Sequence, residues 1–485
     1  MIADLPYGFS KRMGVMLDPE APSRLLCKSP ISTLGIAEAV RALGPHLRIV
    51  PVSPDEFDAR LEAGAGGARG DEAERIIESL DEQGDLEALS SFVPRSSDLL
   101  ESIDEAPVIR LVNAVLTRAV RAGASDIHVE PYETRVAIRF RVDGVLAEIL
   151  APPRALASVL AARIKVMAKL DIAERRLPQD GRITLQIVGR AIDVRVATIP
   201  SGHGERVVLR LLDKQSGRLE LGDLGLRDQR LEQVREMLQS AHGVILVTGP
   251  TGSGKTTSLY AALSLLNDKT RNIMTVEDPI EYFIDGVGQM QVNSRVDMSF
   301  ARGLRAILRQ DPDVVMVGEV RDLETAQVAI QASLTGHLVM STLHTNTAVG
   351  AVTRLRDMGV EPFLLSSSLT GVIAQRLARR LCSSCKVADQ SEDTRRVLSL
   401  EEGGEVFMGA GCEQCDGTGY RGRVGMFEVV TVDEELRKLI HDEASEEALE
   451  QHVRKQSSAL LDGGLELILR GETSMEELRR ISLVA

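Results

Sequence analysis

The sequence predicts a multidomain α/β protein. A small N-terminal α/β domain and an α+β domain precede a parallel sheet covered by helices, which carries a cysteine-bearing insertion and C-terminal helices. Three observations predict this. The chain has 485 residues, which at ~100–200 residues per domain is about three domains. A glycine-led acidic stretch interrupts it after residue 62. Beyond residue 225, short apolar runs alternate with helix-like segments, the pattern of a parallel sheet with helical crossovers.

Composition narrows the class. With 44% hydrophobic and 26% charged residues, the chain has the average make-up of a soluble globular protein. No run approaches the ~18 apolar residues of a membrane helix, and the opening MIADLPYGFSKR lacks the basic-then-apolar order of a signal peptide. Five cysteines in so long a chain are not a disulfide scaffold and suit a reducing cytosol. The chain holds 57 Lys+Arg against 71 Asp+Glu, a net charge of −14, and only 3% aromatics. That argues against nucleic-acid binding, through either charge or base stacking.

Residues 1–62 form the first domain, and 63–105 read as a flexible linker. AGAGGARG opens that linker, and residues 71–105 hold twelve acids and two arginines, with short helices expected over 72–80 and 86–89. The other 450 residues carry a net charge of only −4, so the acidity belongs chiefly to the linker. The α+β domain spans 106–213. Pro107 suits a first helical turn, followed by apolar residues at helical spacing from Val108 to Ala119. Strands are expected over 126–130, 135–141 and 145–150, with Asp143-Gly144 as a hairpin turn. A helix over 155–168 leads to strands over 182–188, 191–198 and 206–212. Residues 214–225 are polar and glycine-containing, a hinge by composition. The core, 226–378, has expected strands over 243–248, 272–277, 314–318 and 338–342. Helices over 255–266, 300–309 and 323–335 fall between them. The insertion covers 379–425, and helices fill 426–485.

Gly249-Pro250-Thr251-Gly252-Ser253-Gly254-Lys255-Thr256-Thr257 contains the pattern G-x-x-x-x-G-K-[ST] between an apolar strand and a helix. Glycines let the backbone curl so that successive N–H groups face phosphate oxygens, and the following helix adds its positive end. Lys255 would neutralise the β- and γ-phosphates of a nucleoside triphosphate, and the Thr256 hydroxyl would ligate Mg²⁺. Glu319, after the strand 313–318, is the expected water-activating base, with Glu281 and Glu277 as competitors. Gly318 stands where many such enzymes carry a metal-binding aspartate. His344 ends another strand, where its imidazole could meet the γ-phosphate, whereas His337 is less placed for chemistry. Arg139, Arg141, Arg182, Arg206 and Arg210 lie on strands of the α+β domain, and Arg302, Arg305 and Arg309 on a core helix. As a group they are candidates for sensing nucleotide across an interface. Cys382-x-x-Cys385 and Cys412-x-x-Cys415 suit closed tetrahedral Zn²⁺ coordination, with a redox pair as the alternative. Cys27 stands apart as a core residue.

GPTGSGKTT, TVEDPIEY, RQDPDVVMVGEVRD and TGHLVMSTLHTN, in that order, resemble the secretion-ATPase superfamily. ASDIHVE, RFRVDGVL and LPQDGR upstream, the four cysteines, and the opening LPYGFSKRMGVMLD narrow the resemblance to the type II secretion ATPase family. It implies a RecA-like P-loop core and a cytoplasmic, usually hexameric ATPase that drives pseudopilus assembly and the export of folded proteins. It also implies attachment to the inner membrane through a bitopic partner docked on the N-terminal domain, contact with an inner-membrane platform protein, and no nucleic acid. Matched by residue, Glu319 is the Walker-B acid, Glu281 lies in the acidic box, and Arg206 and Arg210 approach nucleotide. Two rival readings share the P-loop: a type IV pilus assembly ATPase and, more distantly, a nucleic-acid translocase.

Overall fold

A computed structural model describes residues 10, 13–18, 21–29, 33–43, 47–54, 56–57, 60, 106–187, 190–213, 219–398 and 405–483. The acidic linker with its two short helices, and residues 214–218 of the expected hinge, lie outside the described residues. The chain divides into two compact units, Met1–Ala114 and Val115–Ala485, and the helix Ala106–Arg121 runs through the division.

In the first unit, β1 (Val15–Asp18) pairs antiparallel with β2 (Ala21–Lys28), and β2 pairs parallel with β3 (Arg48–Val52). Parallel neighbours need a crossover, and the helix Thr33–Leu43 supplies it. Strand alternation sends Val15, Leu17, Leu25 and Cys27 to one face with Ala39, and Met16, Leu26 and Val52 to the other with Phe57. Cys27 is therefore a core residue, and burial pushes its thiol pKa up.

The α+β domain is a six-stranded antiparallel sheet in the order β6-β5-β4-β9-β8-β7. Its strands are β4 (Ala124–Pro131), β5 (Val136–Val142), β6 (Val145–Leu150), β7 (Gln179–Ile187), β8 (Arg190–Ser201) and β9 (Gly204–Asp213). The helix Ala157–Met167 packs on it. Asp143 and Gly144 both have positive φ, 49° and 84°, the backbone of the expected two-residue hairpin.

The core sheet has seven strands in the order β12-β11-β13-β14-β10-β15-β18. They are β10 (Gly243–Thr248), β11 (Ile273–Glu277), β12 (Val287–Gln291), β13 (Val314–Val317), β14 (Leu338–Leu343), β15 (Leu369–Leu381) and β18 (Tyr420–Thr431). All neighbours are parallel except the antiparallel pair β15–β18. Helices cover both faces, so β10 is buried throughout. Val244 and Leu246 face a cluster with Leu304 and Val349, while Ile245 and Val247 face another with Leu259 and Leu263. Each such residue contributes about 1.5–3 kcal/mol of burial free energy.

β12, β15 and β18 are additional to the four strands the sequence pattern predicts. Between β15 and β18, the short strands β16 (Lys386–Ala388) and β17 (Phe407–Gly409) form a two-stranded sheet. The long pair β15–β18 runs through positions 378 and 425, the expected domain boundaries, with a register shift only between Arg379 and Leu381. Leu221–Gly225, the described end of the expected hinge, is anchored on β18. Leu221 is buried, and Gly425 N–H donates to the Leu224 carbonyl at 2.8 Å. Four helices close the chain, Glu434–His441, Glu446–Val453, Leu460–Leu469 and Met475–Leu483. Asp433 and Ser445 are the N-caps of the first two, accepting from the N–H groups of Leu436 and Ala448. Among the described residues, no helix is long and apolar enough to cross a membrane.

Candidate nucleotide site and cysteine cluster

The carboxyl ends of β10, β11, β13 and β14 open onto one cleft of about 530 Å³, where ligands bind in open parallel sheets. Thr251–Thr257, Glu277, Glu281, Glu319 and His344 line it together with Tyr260 and Tyr282. The loop 249–254 takes its shape from glycine. Gly249 has φ 152°, and a Cβ there would stand 2.3 Å from the Gln375 carbonyl oxygen. Gly254, at φ 86°, is the left-handed cap of the helix Lys255–Leu266, whose first N–H groups are left for a ligand. β15 backs this loop, and Ser258 Oγ donates to Gln375 Oε1 at 2.7 Å.

Lys255 is buried, its ammonium donating to the carbonyls of Gly249 (2.8 Å) and Pro250 (3.1 Å). Burial pulls its pKa down to about 8, opposed by the charge of Glu319, so it remains largely an ammonium at neutral pH. Its Nζ also lies 3.5 Å from His344 Nδ1. An ammonium only donates, so in this contact Nδ1 would be the acceptor, and Nε2 is 3.4 Å from Glu319 Oε2. Glu319 also pairs with Arg321. Lys255, His344 and Glu319 thus form one polar chain across the cleft.

The two competing acids are placed differently. Glu277 is 3% exposed and accepts from the Tyr260 hydroxyl, Thr275 Oγ1 (2.5 Å) and Gln289 Nε2 (3.1 Å). That leaves it a structural carboxylate, and the pairing drives the Tyr260 hydroxyl pKa upward, burial first and Glu277 second. Glu281 is a third exposed and binds Arg195 of β8 at 2.9 Å. Arg195 also donates to the Ile280 carbonyl at 3.1 Å, so the α+β domain touches the acidic box.

Sequence reasoning missed Arg195. Spacing along the chain carries no signal for it, because its place is set by strand register, opposite both Arg210 and Arg182. Of the arginines expected at nucleotide, Arg206 pairs with Glu130 (2.5 Å) and Arg210 with Asp126 (3.0 Å), and neither lines the cleft. Arg139 likewise pairs with Glu130, Arg182 with Asp193, and Arg141 donates to Gly144 O. On the core helix, Arg302 pairs with Asp297 and Arg305 with Glu324, and Arg309 is exposed. Arg423, Leu211 and Leu212 also line the cleft. His337 takes no part, its Nδ1 lying 2.8 Å from the Ala332 carbonyl.

The four cysteine sulfurs, at the far end of β15–β18, lie within 4.8 Å of one another. Cys382–Cys412, Cys385–Cys415 and Cys412–Cys415 are 3.9, 3.8 and 3.7 Å apart. A disulfide would need about 2.05 Å. Metal–sulfur bonds of about 2.3 Å in a tetrahedron give edges of about 3.75 Å, so the donor set fits one cation. Burial opposes ionisation of Cys415, but N–H groups of Cys412 and Gly419, with the neighbouring thiols, hold it down to about 6.

A phosphate-binding loop, a strand-end carboxylate and a histidine at one sheet edge define a P-loop nucleotide-hydrolysing core. The family model "Type II/IV secretion system protein" matches residues 101–480, and a model for the N-terminal domain of "GSPII protein E" matches residues 4–64. The chain therefore belongs to the type II/IV secretion system protein family. Type II secretion system ATPase E of Vibrio cholerae is 53% identical, covering 99% of this chain and 97% of its own. Type II secretion system protein E of Pseudomonas aeruginosa is 53% identical over 99% and 96%. Among solved structures, the Legionella pneumophila ATPase DotB superposes with a TM-score of 0.58 at 22% identity, covering 77% of this chain and 95% of its own. The pilus retraction motor PilT with bound ADP gives 0.51 at 28% identity, over 76% and 95%.

Proposed function

We propose that the chain hydrolyses ATP in this cleft as the cytoplasmic motor of type II secretion, driving pseudopilus assembly and the export of folded proteins. One observation carries the reading. The loop 249–257, Glu319 and His344 share one cleft in a chain 53% identical throughout to a type II secretion ATPase. The ADP in the PilT structure supports a nucleotide here. Loop N–H groups and Lys255 hold the β- and γ-phosphates, and Glu319 takes a proton from the attacking water while His344 faces the γ-phosphate. Mg²⁺, held through Thr256, would supply charge neutralisation. Zn²⁺ fits Cys382, Cys385, Cys412 and Cys415 as a structural ion.

Lys255→Ala should lower turnover at least ~100-fold, the scale for losing one charge-stabilising donor, and weaken binding of a fluorescent ATP analogue. Near-parental turnover would place catalysis elsewhere.

The same reading makes the motor a hexamer, attached peripherally to the inner membrane by residues 1–62 on a bitopic partner and acting on a platform protein. Arg206 and Arg210 reach nucleotide only once the α+β domain moves. With Leu221–Gly225 fixed on β18, the pivot falls before Leu221. Arg195–Glu281, together with Asp143 Oδ2 accepting from Gly422 N–H at 2.7 Å, is the contact that must break. Small-angle scattering should change on adding a non-hydrolysable ATP analogue, and identical curves would remove the domain motion from the mechanism.

A further inference from the structure

His344 faces both Lys255 and Glu319, yet its own contacts are long, 3.5 and 3.4 Å, and its side chain is 50% exposed. Its position must therefore come from the loop that carries it. Among the described residues, two hydrogen-bonded contacts tie that loop to neighbouring strands. On one side Thr248, the last residue of β10, exchanges hydrogen bonds with Thr345: Thr345 N–H donates to Thr248 Oγ1 at 3.0 Å, and Thr248 Oγ1 reaches the Thr345 carbonyl at 3.0 Å. On the other side Arg376 of β15 donates from one guanidinium nitrogen to Asn346 Oδ1 at 3.2 Å.

Arg376 is an unusual anchor. It is 6% exposed, and its remaining hydrogen bond, at 3.1 Å, goes to the Ile481 carbonyl rather than to a carboxylate. Among the described residues no carboxylate pairs with it; burying such a cation is costly, and burial pulls the guanidinium pKa down. Ile481 lies in the last turn of the helix Met475–Leu483, where carbonyls lack helical partners and the helix dipole is negative. That helix is itself fixed on β15, since the fully buried Glu477 accepts from Arg379 N–H (3.0 Å) and Nε (2.9 Å). A helix end thus stands where a counter-ion would. A neutral side chain of similar size would serve packing at lower cost, so the retained charge points to the loop it holds.

We propose that Arg376 is a positioning residue for ATP hydrolysis: through Asn346 it fixes the 344–347 loop, and so holds His344 over the cleft. The inference rests on the ATPase reading above. It separates Arg376 from its neighbour Gln375, which backs the phosphate loop, so the two strand positions divide binding from turnover.

The test uses the full chain with Asn346→Ala, Arg376→Gln, Arg376→Lys and the Asn346→Ala/Arg376→Gln double variant. Affinity for a fluorescent ATP analogue, kcat, KM and thermal unfolding are read for each. Asn346→Ala and Arg376→Gln are expected to lower kcat ~10-fold or more while affinity stays within about threefold, because the loop 249–257 is untouched. Arg376→Lys should recover part of the loss, and the double variant should be no worse than Arg376→Gln, as for residues acting as a unit. Asn346 is exposed, so its variant reads the loop with little expected change in thermal unfolding, and the double variant assigns the effect to the Arg376 contact. Parental kcat in Asn346→Ala, or equal losses of affinity and kcat, overturns the proposal while leaving the ATPase reading intact. A parental chain without ATP turnover overturns both.

Discussion

Glu319→Gln lowers ATP turnover by about 10²–10⁴-fold, the range for a general base, while ATP affinity stays within about threefold. Glutamine keeps the side chain's size and an oxygen that can still accept from Arg321 and His344, its partners in the cleft. It cannot take a proton from water. One indirect effect must be separated. Glu319's charge opposes the burial that depresses Lys255, so its removal sends that pKa below about 8. The ammonium is then lost at lower pH, and nucleotide binding weakens earlier as pH rises. Affinity should therefore be compared across pH, since the lower end favours the charged lysine in both chains. The competing carboxylates give the opposite signature. Glu277 accepts three hydrogen bonds in the core, so Glu277→Gln costs stability first. Glu281 is held by Arg195, and its loss should alter the domain contact. Single-turnover hydrolysis decides between them, and near-normal turnover in Glu319→Gln would transfer the base to Glu281.

The phosphate loop was legible because its chemistry is written in backbone requirements: only glycine takes the conformations of positions 249 and 254 without collision. The cysteine cluster was legible for a similar reason, since ligand spacing is local even when the loop between the pairs is long. Four core strands and most of the α+β sheet followed from apolar runs and alternation. β15 did not. LTGVIAQRLARRL is rich in Leu, Ala, Gln and Arg, all good helix formers. It is a strand because β10 and β18 pair with it on both sides, a tertiary effect that local preference cannot reveal. Gln375 and Arg376, which back the loop and hold Asn346, went unseen with it. The arginines show the same limit. Five were singled out on the α+β strands, yet among the described residues it is Arg195 that pairs with the acidic box. Which of several like residues crosses to another domain depends on strand register and docking, and neither is encoded in spacing along the chain.

Removing the metal from the four-cysteine site should cost several kcal/mol of folding free energy, because structural zinc binding is coupled to folding. At ~2–4 °C per kcal/mol for a domain of this size, that is a fall of roughly 10 °C in Tm. The expected preparation carries about one Zn²⁺ per chain, and chelation or Cys412→Ser should release it. The physical reason lies in the sulfur spacing. Sulfurs 3.7–3.9 Å apart cannot all ionise without a cation between them, since like charges so close repel. Cys415 is held down to about 6 by its N–H donors, whereas Cys385 is pushed up to about 12 by desolvation, with the surrounding thiols adding to it. A metal would draw all four into the thiolate form. The ion would tie the end of β15, through Cys382, to the turn before β18, through Cys415. Its loss should therefore fray the long β15–β18 pair from that end. The first consequence is structural: hydrogen exchange should rise over 379–385 and 420–424 before it rises at Gln375, and ATP affinity should fall only when the fraying reaches that residue. Zinc-free protein with an unchanged Tm would instead mark the four thiols as unligated. A Tm loss reversed by reducing agent rather than by zinc would mark them as a redox pair.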